Sequence, residues 1–400
     1  MNYTESKNRI VYLITAVLFG TAVFLKQFYF KDSGSFQMAD LFFAGSVLTW
    51  LAYSFRNGLC IHKDERILLL YLSCILLVNG HYFLKDGSTD YLLYTAYYVF
   101  SVLVCLTFIF LTRNEKFLNA LRVILEAVLL LQLLIMLFHI DRAFSTGSMG
   151  TFNDPNQCAF FSFAAFLLIY SLSKMTGKGF PLAWFVIGAF IDIRTGSMGS
   201  FLGFCVFAYV WLFIRALKMK GWKRSIIVSG LICVVIGTLV AVYLILETNF
   251  FVGSLPRSVA GRLTSKLNKF IKENGHLNLE GYIKDRNLVA VAGFPQYLLY
   301  GAGEGNFQRF GTELEVHSSI LGPLFYYGSI PFSIWAIWYF RKLYRIRPEF
   351  ICVYVALFAE SFVLMNCRQP LFWMILALAG HPLAKQKTVP YKEMESDGKE

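Results

Sequence analysis

The chain has 400 residues, of which 56% are apolar and 16% charged, and a formal net charge of +12; its mean hydropathy is +0.55. A soluble domain carries about 25% charge, so this composition excludes one of ordinary size. The positive balance does not call for nucleic acid, because basic residues gathered in the loops of one membrane face produce it equally well.

Apolar runs occupy 10–30, 36–55, 67–84, 91–112, 117–138, 158–173, 180–193, 198–217, 225–246, 318–340, 349–365 and 369–384. At about 20 residues per crossing they predict an all-α, polytopic membrane protein with about 12 transmembrane helices. The first run follows Lys7 and Arg9, as in a secretory leader, but lacks a small-residue cleavage site and is followed by eleven more, so it reads as the first span. The runs at 158–173 and 180–193 are short and predict tilt or extension into polar loops. The eight cysteines form no C-x-x-C pair and most lie in apolar runs. They read as small buried side chains, with no disulfide framework, metal site or cofactor.

Orientation follows from Lys and Arg in the short loops. With the N-terminus cytoplasmic, inside segments carry 22 such residues, while Lys31, Lys85, Arg142, Arg194 and Arg368 are the five in short outside loops. That bias places both termini in the cytoplasm and residues 247–317 outside, as a large loop between spans 9 and 10. The chain then reads as a single membrane domain over 1–384, and 385–400 as a disordered cytoplasmic tail. Residues 257–273 have the apolar spacing of an amphipathic helix, lying either on headgroups or over the helical bundle.

In this topology the even-numbered spans open outward, presenting free N–H groups and positive dipole ends that suit anions. Gly150-Thr151-Phe152-Asn153-Asp154-Pro155-Asn156 precedes the sixth span, Asp192-Ile193-Arg194-Thr195-Gly196-Ser197 the eighth, and Glu315-Val316-His317-Ser318-Ser319 the tenth. If these helices are neighbours, one pocket collects their polar groups, with Asn153, Asn156, Ser197 and Ser318 as substrate-binding residues. A guanidinium at the membrane boundary needs a partner. For Arg194 that is a phosphate gripped bidentately or a pair with Asp192. His317 can accept or orient a hydroxyl proton, or be structural. Arg286, in Asp285-Arg286-Asn287, reads as a second phosphate clamp or a surface ion pair. Gly301-Ala302-Gly303-Glu304-Gly305-Asn306 lacks the Lys-Ser/Thr of a nucleotide loop and reads as flexible turns bringing His317 towards the bundle. Among intramembrane charges, Glu126 and Glu360 suit either a proton path or pairing within the bundle, and His81 and Lys26 lie nearer the outer face.

Four motifs in this order, G-T-F-N-D-P-N-Q-C-A (150–159), R-T-G-S-M-G-S (194–200), Y-L-L-Y-G-A-G-E-G-N-F (297–307) and E-V-H-S-S-I-L-G-P-L-F-Y-Y-G (315–328), resemble the O-antigen ligase and polymerase family of membrane glycosyltransferases. The resemblance covers mainly 150–330. It implies a GT-C-like architecture in the bacterial plasma (inner) membrane and an outer-face pocket. The donors it implies are glycans on undecaprenyl diphosphate, with no nucleotide sugar or required metal. It also implies that His317, Arg194 and Arg286 are catalytic. One departure is that Arg194 is displaced by several positions from the family's serine-arginine-glycine. The implied function is a polysaccharide polymerase for O-antigen, capsule or exopolysaccharide. Its partners would be the lipid-linked donor and acceptor, the bilayer, a chain-length regulator and a flippase. The alternatives are a ligase, a protein-glycosylating enzyme, a transporter of the same lipid-linked sugar, and a passive scaffold. No repeat between the halves supports alternating access.

Overall fold

A computed structural model of the chain describes residues 3–30, 36–57, 63–140, 143–144, 147–222, 224–230, 232, 279–312, 314–344 and 346–384. The apolar runs fold as α1 (Tyr3–Leu25), α2 (Met38–Asn57), α3 (Lys63–Asp86), α4 (Asp90–Leu111), α5 (Glu115–Leu137), α6 (Pro155–Met175), α7 (Leu182–Thr195) and α8 (Met198–Lys218). Three short helices follow, α9 (Leu279–Asp285), α10 (Val289–Gly293) and α11 (Tyr297–Tyr300). Then come α12 (Leu321–Tyr327), α13 (Ser329–Leu343), α14 (Pro348–Ser361) and α15 (Pro370–Leu378). The described residues are helical and irregular apart from one small ladder, Ala143–Phe144 paired antiparallel with Gly147–Ser148.

Six helices, α2 to α6 and α8, are long and apolar enough to cross a membrane. Length and apolarity therefore support a polytopic membrane protein without supporting the full expected count. The α7, α13, α14 and α15 helices have 14, 15, 14 and 9 residues, fewer than the roughly 20 a bilayer core takes. The run 225–246 is described, and helical, only at 225–230 and 232. The segments 247–278, with the expected amphipathic helix at 257–273, and 385–400 lie outside the described residues.

A helix apolar on every side must be surrounded by protein or lipid. In α6 only Asn156, Gln157 and Lys174 keep partial exposure, and all nine residues of α15 are buried. These two helices pack on each other; α6 also lies against α5, α7 and α8, and α15 against α4. The α7–α6–α8 seam is aromatic. Phe207 meets Phe166 at 4.8 Å and Tyr170 at 4.9 Å, both edge-on, a geometry worth about 0.5–1.5 kcal/mol beyond area burial. Gly203 faces the Phe163 ring so closely that a Cβ would sit 2.6 Å from it.

Two local departures from the expected runs shape the site. First, α7 continues to Thr195, so Asp192-Ile193-Arg194-Thr195 is its last turn rather than a loop. Gly196, at φ 66, ends it in the left-handed conformation that suits glycine. Second, the expected span 318–340 is broken at Gly328, at φ 83. A Cβ there would lie 2.7 Å from the Gly301 nitrogen and the Leu299 oxygen. The break frees carbonyls of α12, and the loop takes them: the Ala302 amide donates to Phe325 O at 3.0 Å and Gly303 to Tyr326 O at 2.7 Å.

Candidate functional site

Arg286 and His317 come together directly. The His317 amide donates to Arg286 O at 3.0 Å. Asn287, at φ 52, is in the left-handed region that asparagine tolerates better than most residues. Its Nδ2 donates to Glu315 O at 3.0 Å. The imidazole Nδ1 of His317 lies 3.0 Å from the same oxygen. A carbonyl can only accept, so this contact assigns the proton to Nδ1 and leaves Nε2 as an unprotonated acceptor in the neutral ring. His317 is half-buried, and Nε2 has no partner among the described residues.

Arg286 is 5% exposed, and its Nη1 donates to Val363 O at 2.5 Å. Val363 and Leu364 belong to the junction between α14 and α15, which abuts the start of α8: a Cβ on Gly199 would lie 2.8 Å from Leu364 and 3.3 Å from Val363. The amide of Ser319 reaches the same junction, at Leu364 O (3.0 Å) and Ser361 O (2.8 Å). Three segments distant in sequence, 196–200, 286–319 and 361–368, thus converge at one end of the bundle.

Of the three helix mouths expected to bind anions, one is left uncapped. The α6 mouth is closed by its own carboxylate, Asp154 accepting from the Asn156 amide at 3.0 Å. Asn153 and Asn156 are half-buried at that mouth. The α12 mouth is capped by the Ser318 hydroxyl, which accepts from the Leu321 and Ile320 amides at 3.1 and 3.3 Å and donates to Ser361 O at 3.2 Å. Ser318 is therefore occupied in holding the fold. At α8, the N-cap Ser197 makes no capping bond. The hydroxyls of Ser197 and Ser200, 2% and 0% exposed, have no partner among the described residues. The first N–H groups of any helix lack intrahelical acceptors, so this end retains its affinity for anions.

Arg194 stands beside this mouth, in the last turn of α7, half-buried and without a hydrogen bond or ion pair among the described residues. The alternative pairing with Asp192 is absent for a geometric reason: residues two apart on a helix face different sides. Asp192 faces the core, at 0% exposure.

A charged network invisible in the sequence lies next to His317. The Arg368 guanidinium reaches Glu315 through Nη2 at 2.9 Å and Glu304 through Nε at 3.5 Å, over the Tyr94 ring at 4.8 Å. Tyr327 donates to the other Glu304 oxygen at 2.6 Å. Burial pushes the Glu304 carboxyl up, against the pull of Arg368 and Tyr327. Burial acts the same way on Glu315 and is the largest single influence there, but Arg368, His317 and the hydrogen bonds together outweigh it and hold that carboxyl below the ordinary range. One cation serves two acids, and the deeper acid receives less of it. The Gly301–Gly305 stretch that carries Glu304 is buried throughout, which replaces the expected flexible turns. The Glu304 amide donates to Asn79 Oδ1 at 2.8 Å, and Arg309 bonds the carbonyls of Ala302 and Gly303. Alternation of Gly301, Gly303 and Gly305, all at positive φ, is the sequence signal for this close backbone packing.

The intramembrane acids have local partners: Glu126 pairs with Arg122 at 2.8 Å, one helical turn away, and Glu360 accepts from Asn366. Lys26 pairs with Asp40 at 3.0 Å. His81 lines a cleft of about 440 Å³ with Tyr82, Lys85, Tyr297 and Tyr300. Among the described residues, no group of three or more His, Cys, Asp or Glu side chains could hold a metal.

No family model matches the sequence, and no curated protein matches it.

Proposed function

We propose that this chain is a membrane glycosyltransferase of GT-C-like, twelve-span architecture. In this reading it is a polysaccharide polymerase that joins undecaprenyl-diphosphate-linked repeat units at the outer face of the bacterial plasma membrane. The observation that carries the reading is the pairing of an acceptor-competent His317 Nε2 with a phosphate-suited helix mouth. At that mouth Arg194 and the hydroxyls of Ser197 and Ser200 have no protein partner among the described residues. Arg286 links the two, bonded to the His317 amide through its backbone and to the Val363 carbonyl through its guanidinium.

The chemistry is a displacement at an anomeric carbon. A hydroxyl of the acceptor sugar attacks C1 of the donor sugar. Its proton passes to His317 Nε2, and the bond from C1 to the diphosphate oxygen breaks with both electrons leaving on the diphosphate. Arg194 and the α8 amides offset the charge on that leaving group, while Arg286 ties His317 to the Val363 junction. The same bond supplies the driving force, so no nucleotide is consumed outside the cell.

The test incubates purified protein in detergent with lipid-linked repeat units and resolves the products on a gel. A ladder supports the polymerase. A single transferred product points to a ligase instead, and an unchanged substrate removes the glycosyl-transfer reading.

A further inference from the structure

At the end of α6 and α8 away from Ser197 lies a second cleft, of about 330 Å³, between the last turns of these helices and the start of α14. Its wall carries Lys174, Arg215 and Lys218, with Tyr170, Trp211 and Ile214 beside them. No carboxylate pairs with any of the three cations among the described residues. The acid in the wall, Glu349, is already held by Arg347, and its backbone oxygen accepts from the Tyr170 hydroxyl at 2.8 Å. Three like charges thus share one concavity whose lining carboxylate is already paired with Arg347, an arrangement that repels itself unless an anion enters.

The aromatic side chains organise this charge. The Arg215 guanidinium lies 5.0 Å from the centre of the Trp211 ring, and the Lys174 ammonium 5.7 Å from that of Tyr170. A guanidinium stacked on a ring keeps its N–H donors in its own plane, and those of Arg215 have no acceptor among the described residues. The helix that carries Arg215 and Lys218 also presents an apolar surface. On α8, Tyr209, Phe213 and Leu217 are 44%, 47% and 57% exposed, on a helix long and apolar enough to cross a membrane. A soluble anion has no use for such a surface, whereas acyl chains do.

We infer that this cleft binds the phosphodiester headgroup of an anionic phospholipid, with Lys174, Arg215 and Lys218 on the phosphate and the acyl chains along the exposed face of α8. Basic pockets between membrane helices recognise such headgroups, and the volume suits a headgroup rather than a whole lipid. The site is separate from the His317 end and independent of the glycosyl-transfer reading.

The full-length protein in detergent, titrated with phosphatidylglycerol or phosphatidylcholine and followed by native mass spectrometry, tests this. The wild type should retain phosphatidylglycerol in preference to phosphatidylcholine. The triple variant Lys174→Gln, Arg215→Gln, Lys218→Gln should bind phosphatidylglycerol at least about tenfold more weakly, since each basic residue near an anionic surface is worth roughly fivefold. A control triple at exposed positions, Arg113→Gln, Lys116→Gln, Arg341→Gln, should bind as the wild type does. Arg215→Gln alone, with a smaller loss, covers the case in which the triple variant is not monodisperse. Equal binding of both lipids, an equal loss in the control, or displacement of the lipid by glycerol phosphate at similar concentration would overturn the assignment. The last result would mark a site for free phosphate.

Discussion

Arg368 holds Glu315 at 2.9 Å with one nitrogen and faces Glu304 at 3.5 Å with another, so a single guanidinium ties the loop ahead of α12 to the junction ahead of α15. Glu304 is 0% exposed. Removing the cation from a buried pair costs about 3–5 kcal/mol. Arg368→Gln should therefore lower the thermal unfolding midpoint in detergent markedly, and Glu304→Gln added to it should recover part of the loss. A midpoint equal to that of the wild type would count against this network.

Glu315 gives the pH dependence. Its folded carboxyl is held below the ordinary glutamate value of 4.5. Stability from its ionised form is thus fully present above that value and is lost as pH falls through the lower, folded one. The gap in midpoint between the wild type and Glu315→Gln should be widest near neutral pH and close as pH falls below 4.5. A gap constant across that range would show that Arg368 does not act on Glu315 by charge.

Arg194 and Arg286 should separate in their effects. Arg194 has no protein partner among the described residues, so Arg194→Ala should leave stability within about 0.5 kcal/mol while suppressing polymer laddering. Arg286 is buried and bonded to Val363 O, so Arg286→Ala should lower both stability and activity. Unfolding curves and gel ladders on the same preparations check this; a destabilised Arg194→Ala would mean that its role is structural.

A general base contributes roughly 10²–10⁴-fold. Polymerisation by His317→Ala should fall by at least the lower figure, about 10²-fold. His317→Gln should be no better, because an amide is far too weakly basic to take the proton. Near-normal turnover in His317→Gln would leave the imidazole a positioning role only.

Gly328 and Gly177 separate backbone strain from crowding. Both have positive φ, 83 and 71, but a Cβ on Gly177 meets nothing within 4 Å while one on Gly328 meets backbone at 2.7 Å. Gly177→Ala should cost about 1 kcal/mol. Gly328→Ala should cost clearly more, read as the difference between the two unfolding midpoints.

Helix positions were largely legible because length and apolarity are local properties. The run 91–112 became Asp90–Leu111, and 117–138 became Glu115–Leu137. The break at Gly328 was hidden because apolar residues continue on both sides of it; what breaks the helix is a loop from elsewhere in the chain. His317 and Arg286 were visible as polar residues at a helix mouth and in the loop, yet their mutual bond depends on tertiary folding. The pairing of Arg368 with Glu304 depends on tertiary folding in the same way. Arg368 nonetheless shared one mark with Arg194, a basic residue on the face where the charge bias leaves few.

The carbonyls freed at Gly328 have a consequence for biogenesis. Lipid offers no hydrogen bonds to an open backbone, so exposed main-chain groups at membrane depth are costly. Phe325 and Tyr326 find their donors in Ala302 and Gly303, which leave the ribosome earlier. The loop must therefore be docked before, or as, the following segment is released sideways into the bilayer. Insertion of this part of the chain is coupled to docking of the loop, rather than being a series of independent helix deliveries.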